Sequence, residues 1–353
     1  MPQQYPFFEA SGDAREMGRQ HGEQARDQID GYLDFLASSL QIGRAELGVR
    51  ALRFQPLFQA HCPELLIEAQ GLAEGAGLSL ADALAAQLRG ELGQVNDGGC
   101  TTFAIDARGT VSGSTLIGQT SDNPPELEQF GYVLKLRPAN HPALLMWTFG
   151  GMLGYHGINE YGVSHFANAL GGGPSWKFAL SHYPLKRLIL QQQSITGVRQ
   201  LMKQFSVCSN GNYMLSDGHG TIEDVELTSE GPFFPFGHPL FQVHTNHYLC
   251  KEHACDTNWR HSPTDSFPRL DRMQKLIGDR FGSISLQDIQ RFLSDHEGHP
   301  VSICRHSHSG PDGPMLDRRG KTVVALIAEP EKRQLHVAFG NPCENPFVTY
   351  GLD

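Results

Sequence analysis

The chain changes texture after its first third. In "DAREMGRQHGEQARDQIDGYLDFLASSL" the apolar positions Met17, Ala25, Ile29, Tyr32, Leu33, Leu36 and Leu40 recur at helical spacing. Asp13, three residues before Glu16, opens this run with a capping pattern. A second helix is expected around Glu64–Glu74, and a third after Ser79, an N-cap ahead of Leu80, Leu84 and Leu88. Residues 1–95 therefore read as helical. From Gly98 onward the pattern shortens to strand length. "TTFAID" and "TLIGQTSD" flank a turn, and "GYVLKLRP" and "ALLMWTFGG" follow as strands. "GNYMLSDGHGTIEDVELTSEG" predicts a hairpin with "DGHG" at its tip, and "KTVVALIAEPEKRQLHVAFG" another turning at "EPEKRQ". Helices are expected between them at Pro184–Gln193, Phe267–Asp279 and Leu286–Ser294. Antiparallel hairpins with helices between them predict an α+β layered sandwich, not a doubly wound parallel sheet.

Composition narrows the class. A chain of 353 residues can bury a full core, and a formal net charge of -10 argues against a nucleic-acid partner. No apolar run reaches the ~18 residues of a membrane span. The opening "MPQQYPFFEASGD" has no basic stretch leading into an apolar one, so no secretory signal is read there. The seven cysteines, at 62, 100, 208, 250, 255, 304 and 343, are odd in number and scattered. That fits reduced thiols in a cytoplasmic protein better than a disulfide framework.

The chemistry concentrates at Gly99-Cys100. A loop rich in Asn, Asp and Gly runs into Cys100, and a β-branched, apolar run follows. A cut before Cys100 would make an internal cysteine a new N-terminus. Its thiol would then be the nucleophile and its own α-amine the base. An unperturbed α-amine titrates near ~7.7–8.0, close enough to neutral pH to take a proton. The plainer alternative is a Gly-Gly-Cys turn with a buried small residue.

Several segments, in order, resemble one family: "GDAREMGRQHGEQARDQI", "GGCTTFAI", "IGQTSDN", "GINEYGVSHFANAL", "HTNHYL", "SICRH" and "AFGNPCENPF". Together they are similar to the acyl-coenzyme A:6-aminopenicillanic acid acyltransferase family of autoproteolytic N-terminal-nucleophile enzymes. Choloylglycine hydrolases and penicillin V acylases are its more distant relatives. The resemblance implies a four-layer αββα sandwich. It implies Cys100 as nucleophile and Asp122 as the carboxylate holding its amine. Asn168 and Asn246 would line the pocket, with Asn246 the expected oxyanion donor, and Arg305 would be a buried cation lowering the thiol pKa and pairing with Asp122. Two positions depart from the family pattern. Thr120 and Ser121 stand where an Asn-aromatic pair is common, and Gln119 stands where the bile-salt branch carries arginine. Gln119, Trp147, Tyr155 and Phe166 are the expected substrate-binding residues, with Phe149 beside them, although most of these aromatics also suit core packing. The expected products are an α segment, 1–99, and a β segment, 100–353, associated as one structural domain. The implied partners are a small N-acyl amide substrate and an acyl-coenzyme A donor, with a homo-oligomer left open. No cofactor is implied.

Two rival classes stay in view. The 17 histidines include the clusters His244/His247, His296/His299 and His306/His308, with Cys304 beside the last, and these offer a metal-dependent hydrolase. No H-E-x-x-H pattern or paired C-x-x-C motif accompanies them, so no metal is assigned. The other rival is a non-catalytic binding protein that keeps the fold. Loss of self-cleavage would be its signature.

Overall fold

The computed structural model describes residues 3–92, 99–235, 237, 239–253, 265–307 and 320–353. The approach to the Gly99-Cys100 step at 93–98, Cys255 and His308 lie outside the described residues. The chain opens with β1 (Phe7–Gly12), then α1 (Ala14–Gln24), α2 (Arg26–Ser39), α3 (Arg44–Leu52), α4 (Gln55–His61), α5 (Pro63–Ala76) and α6 (Leu80–Ala85). The strand run follows: β2 (Cys100–Ile105), β3 (Leu116–Asn123), β4 (Gly131–Pro138), β5 (Leu144–Phe149), β6 (His156–Asn159) and β7 (Ser164–Ala169). After α7 (His182–Ile189) and α8 (Ile195–Gln204) come β8 (Gly211–Ser216), β9 (Ile222–Thr228), β10 (Gly231–Phe233) and β11 (Phe241–His244). The last third holds α9 (Ser266–Gly278), α10 (Leu286–Leu293), β12 (Lys321–Glu329), β13 (Gln334–Phe339) and β14 (Phe347–Gly351).

Capping places the helix starts. The Asp13 carboxylate accepts the Glu16 N–H at 2.9 Å, and Ser79 and Asp82 cap α6 reciprocally. The single opening helix read from the sequence is two helices, broken at Ala25, whose φ of -103 and ψ of 17 leave the helical basin. Nor is the first third wholly helical. β1 lies parallel to β4, Phe7 beside Val133 and Gly12 beside Pro138. Helices α1 and α5 cross backbone to backbone. A Cβ on Gly18 would stand 2.0 Å from the Glu68 carbonyl oxygen, and one on Gly71 would stand 2.0 Å from that of Arg15.

The strands form two sheets, in the orders β1-β4-β5-β6-β7-β8-β9-β10 and β11-β2-β3-β12-β13-β14. Period-two alternation assigns their faces. Phe166, Met214, Ala104, Leu326 and Ala328 share the core between the sheets. Ala167, Tyr213 and Leu215 pack outward with residues of α7 and α8, while Phe103, Ile105, Ala325 and Ile327 pack outward with α9 and α10. The layers are therefore helix, sheet, sheet, helix, an αββα sandwich. Both sequence-predicted hairpins form, β8–β9 and β12–β13. Among the described residues no helix is long and apolar enough to cross a membrane.

Candidate active site

β2 starts at Cys100 and lies between β11 and β3. Thr101 and Phe103 face α9, so Cys100 and Thr102 face the opposite sheet. Cys100 is buried. Its peptide N–H donates to Asn246 Oδ1 at 2.8 Å, and its carbonyl accepts from Arg269 Nη1 at 2.6 Å. The β2–β3 register sets Cys100 against Ser121, which brings Asp122 to the preceding peptide. The Asp122 N–H donates to the Gly99 carbonyl at 2.7 Å. A Cβ on residue 99 would lie 2.9 Å from Asp122 Oδ2, 3.0 Å from Arg305 Nη2 and 3.2 Å from Arg269 Nη2. Glycine alone fits there without displacing charged groups.

Beneath that peptide sit two cations and two anions. Asp122 accepts from Thr322 Oγ1 at 2.7 Å and from Arg305 Nε at 3.2 Å. Arg305 also donates to Asp265, which accepts Arg269 Nε at 2.7 Å. Arg269 Nη2 completes the circuit on Asn246 Oδ1 at 2.9 Å. All four charged groups are buried, so each needs the others to offset desolvation. Burial pushes the Asp122 carboxyl above its usual range, and Arg305 and Arg269 offset this only in part. Asp265 feels the same burial, but the two guanidinia outweigh it and hold its carboxyl below the usual range.

On the other face of β2 the surroundings are polar. Thr102 Oγ1 donates to Asn168 Oδ1 at 2.7 Å, and the buried Asn168 Nδ2 has no hydrogen-bond partner among the described residues. Gln119 repeats the arrangement: its Oε1 accepts the Ala167 N–H at 3.0 Å while its buried Nε2 has no partner among the described residues. Further along the same face Asn212 donates to Asp224, whose carboxyl burial raises to about 6, and Glu226 pairs with His244 Nε2 at 3.1 Å.

Sequence comparison now adds to this geometry. The family model of acyl-coenzyme A:6-aminopenicillanic acid acyl-transferase matches residues 110–344. The chain belongs to this family. Membership makes it an enzyme of the acyltransferase class. The matched span holds Asp122, Asn168, Asn246, Asp265, Arg269 and Arg305, and it begins ten residues after Cys100. Solved structures similar to the chain include a mutant and a variant of the conjugated bile acid hydrolase from Clostridium perfringens. These share 15% and 16% identity with TM-scores of 0.47 and 0.46, each match covering 72% of this chain and 97% of that one. A penicillin V acylase from Agrobacterium tumefaciens matches at 10% identity and a TM-score of 0.41, covering 68% of this chain and 82% of its own.

Of the residues singled out from the family pattern, Cys100, Asp122, Asn246 and Arg305 meet in one bonded network, and Asn168 stands beside it. Asn246 Oδ1 accepts two N–H donors, and its Nδ2 gives one of its two hydrogens to the Ala169 carbonyl at 3.1 Å. One task differs from that expected. The Asp122 carboxylate bonds Arg305 and Thr322 instead of the Cys100 nitrogen. Trp147, Tyr155 and Phe166 are corrected as substrate contacts, because packing claims their surfaces. All three are buried in the core between sheets and helices, with the Trp147 ring centroid 5.5 Å from Tyr5 and 5.4 Å from Tyr155. Of that group, Gln119 Nε2 and Trp147 Nε1 are both buried without a hydrogen-bond partner among the described residues. The sequence reading missed Arg269 and Asp265. Their signal was an arginine in register with Met273 and Ile277 on the apolar stripe of α9, four residues after an aspartate.

Proposed function

We propose that the chain is a self-cleaving cysteine enzyme that hydrolyses small N-acyl amides through a thioester on Cys100. The observation that carries this reading is the Gly99–Cys100 peptide itself, with its carbonyl on the Asp122 N–H and its nitrogen on Asn246 Oδ1. In the first reaction the Cys100 sulfur bonds to the Gly99 carbonyl carbon while the Asp122 N–H stabilises the oxyanion. The C–N bond then breaks and the nitrogen takes the thiol proton. Water cleaves the resulting thioester, releasing the Gly99 carboxylate and restoring the thiol. The freed α-amine stays oriented by Asn246. In each later cycle that amine takes the thiol proton and the sulfur attacks the substrate carbonyl. The Asn168 N–H2 donates to the oxyanion, and the leaving amine receives the proton. Water, deprotonated by the α-amine, frees the acid. An amine in place of water would make the same thioester an acyl-transfer intermediate, and an acyl-coenzyme A donor would load the same sulfur.

Intact-mass measurement with N-terminal sequencing tests the cut. Wild-type protein is expected as two polypeptides, 1–99 and 100–353, the second starting at cysteine. Cys100→Ala is expected as one full-length chain that turns over no N-acyl amide. A Cys100→Ala chain that still splits, or a wild-type chain active while uncut, removes the assignment.

A further inference from the structure

Among the described residues, His296, Cys304, His306 and Cys343 each offer one donor atom to a single cluster, all four atoms lying within 4.8 Å of one another. None belongs to the chemistry above. His296 follows the end of α10, Cys304 and His306 lie on the irregular segment beyond it, and Cys343 lies in the turn after β13. Four of the six separations are 3.6 Å between the two sulfurs, 3.7 and 3.5 Å from those sulfurs to His306 Nε2, and 3.1 Å between the two Nε2 atoms. Tetrahedral zinc has bonds of ~2.3 Å to sulfur and ~2.0–2.1 Å to nitrogen. Those bonds imply edges of ~3.8 Å for S···S, ~3.5 Å for S···N and ~3.3 Å for N···N. The four agree with these to about 0.2 Å, and the two from His296 to the sulfurs lie within 4.8 Å.

We infer that these four side chains form a structural zinc site of the Cys2His2 type. Two thiolates, two imidazoles and tetrahedral spacing select zinc among the common divalent ions. The surroundings suit it. Asn341 Nδ2 points at Cys304 Sγ from 3.3 Å, a donor for a thiolate, and a Glu344 carboxylate oxygen lies 3.8 Å from His306 Nδ1, on the side away from the metal. Protein atoms fill all four positions, so the ion holds no water for hydrolysis and the site is a clasp. It ties the segment after α10 to the turn after β13.

The clasp has a definite neighbour. Cys304 and His306 flank Arg305, whose guanidinium bonds Asp122 and Asp265. Zinc thus makes Arg305 a positioned residue, fixed at both shoulders. This consequence rests on the proposed function, whereas the site itself does not.

The test is metal analysis of full-length protein purified without chelator, done on wild type and on Cys100→Ala so that the result is independent of self-cleavage. About one zinc per chain is expected in both, falling about tenfold or more in Cys343→Ser and in the Cys304→Ser/Cys343→Ser pair. Cys343 is exposed, so its serine variant keeps the test meaningful if the buried Cys304 position proves intolerant. Stripped protein reloaded with Co2+ should show the visible bands of tetrahedral cobalt with thiolate charge transfer. Reduced wild-type protein free of zinc and unable to take up cobalt overturns the proposal. A Cys304–Cys343 disulfide in freshly isolated protein does so too, as does stoichiometric zinc retained by the double variant. If zinc is present and the Cys343→Ser chain still folds but cleaves itself more slowly, the link to Arg305 stands. Unchanged cleavage in the metal-free chain would break that link and leave the clasp.

Discussion

Two asparagines near Cys100 illustrate how hydrogen-bond inventory assigns roles that residue type cannot. An amide has one acceptor oxygen and two donor hydrogens, and what remains after internal pairing decides its use. Asn246 has its oxygen engaged twice and one of its two amide hydrogens on the Ala169 carbonyl. Asn168 has its oxygen engaged by Thr102 and its nitrogen buried without a partner among the described residues. An unpaired buried amide costs about 1–3 kcal/mol, so a site that tolerates one has a use for it. Asn168→Ala should therefore lower kcat about 10²–10³-fold with KM little changed, as expected for one lost oxyanion donor. Self-cleavage should persist in that variant, because the Gly99 carbonyl already has the Asp122 N–H. Steady-state kinetics and intact mass on one preparation read both halves. An Asn168→Ala enzyme with wild-type kcat would take the residue out of the oxyanion site.

At the scale of elements, the α1–α5 crossing shows sequence acting through absence of side chains. Gly18 and Gly71 let two helices approach until a Cβ would overlap the opposing carbonyl oxygen. Gly71→Ala should cost stability despite alanine's better helix propensity, by about 1–3 kcal/mol from overpacking. Urea denaturation measures it, and an unchanged or raised midpoint would show that the helices separate freely. Most elements here were legible because their periodicity is local. α5, α9, α10 and both hairpins fall close to where spacing and turn residues place them. β1 was not, since its burial barely alternates and its partner β4 lies more than a hundred residues on. The site divides the same way. The Gly99-Cys100 step, Asp122 and Arg305 stand in short motifs, whereas Arg269 hides among the apolar positions of α9. Of the metal ligands, His296, Cys304 and His306 stand close in sequence, but Cys343 is remote until the β12–β13 hairpin returns the chain and sets it beside Cys304.

At the scale of the molecule, the first third is joined to the rest by buried polar contacts as well as by apolar core. Glu68 on α5 takes two hydrogen bonds from Arg187 on α7, at 3.0 and 3.1 Å, and His21 Nε2 on α1 meets the Tyr132 hydroxyl on β4 at 2.6 Å. These contacts span the proposed cut, so the two segments are expected to stay together after it. They also set a pH limit. Burial, with the Arg187 charge nearby, lowers the His21 pKa to about 3, and burial beside Lys186 does the same for His165. An unfolded histidine binds a proton below ~6.5, whereas folded His21 stays neutral until about 3. Its contribution is thus complete above that unfolded value and is lost progressively as pH falls, by about 2 kcal/mol between pH 7 and pH 5. Asp224, raised by burial to about 6, works in the opposite sense over part of this range, so the histidine share must be read as a difference. His21→Gln keeps a hydrogen-bonding group for Tyr132 and removes the titration. Wild type should lose about 2 kcal/mol more than this variant on going from pH 7 to pH 5 in paired urea denaturations. Parallel losses in the two proteins would mean that His21 accepts its proton in the folded state, and that the seam between the segments is wetter than its burial implies.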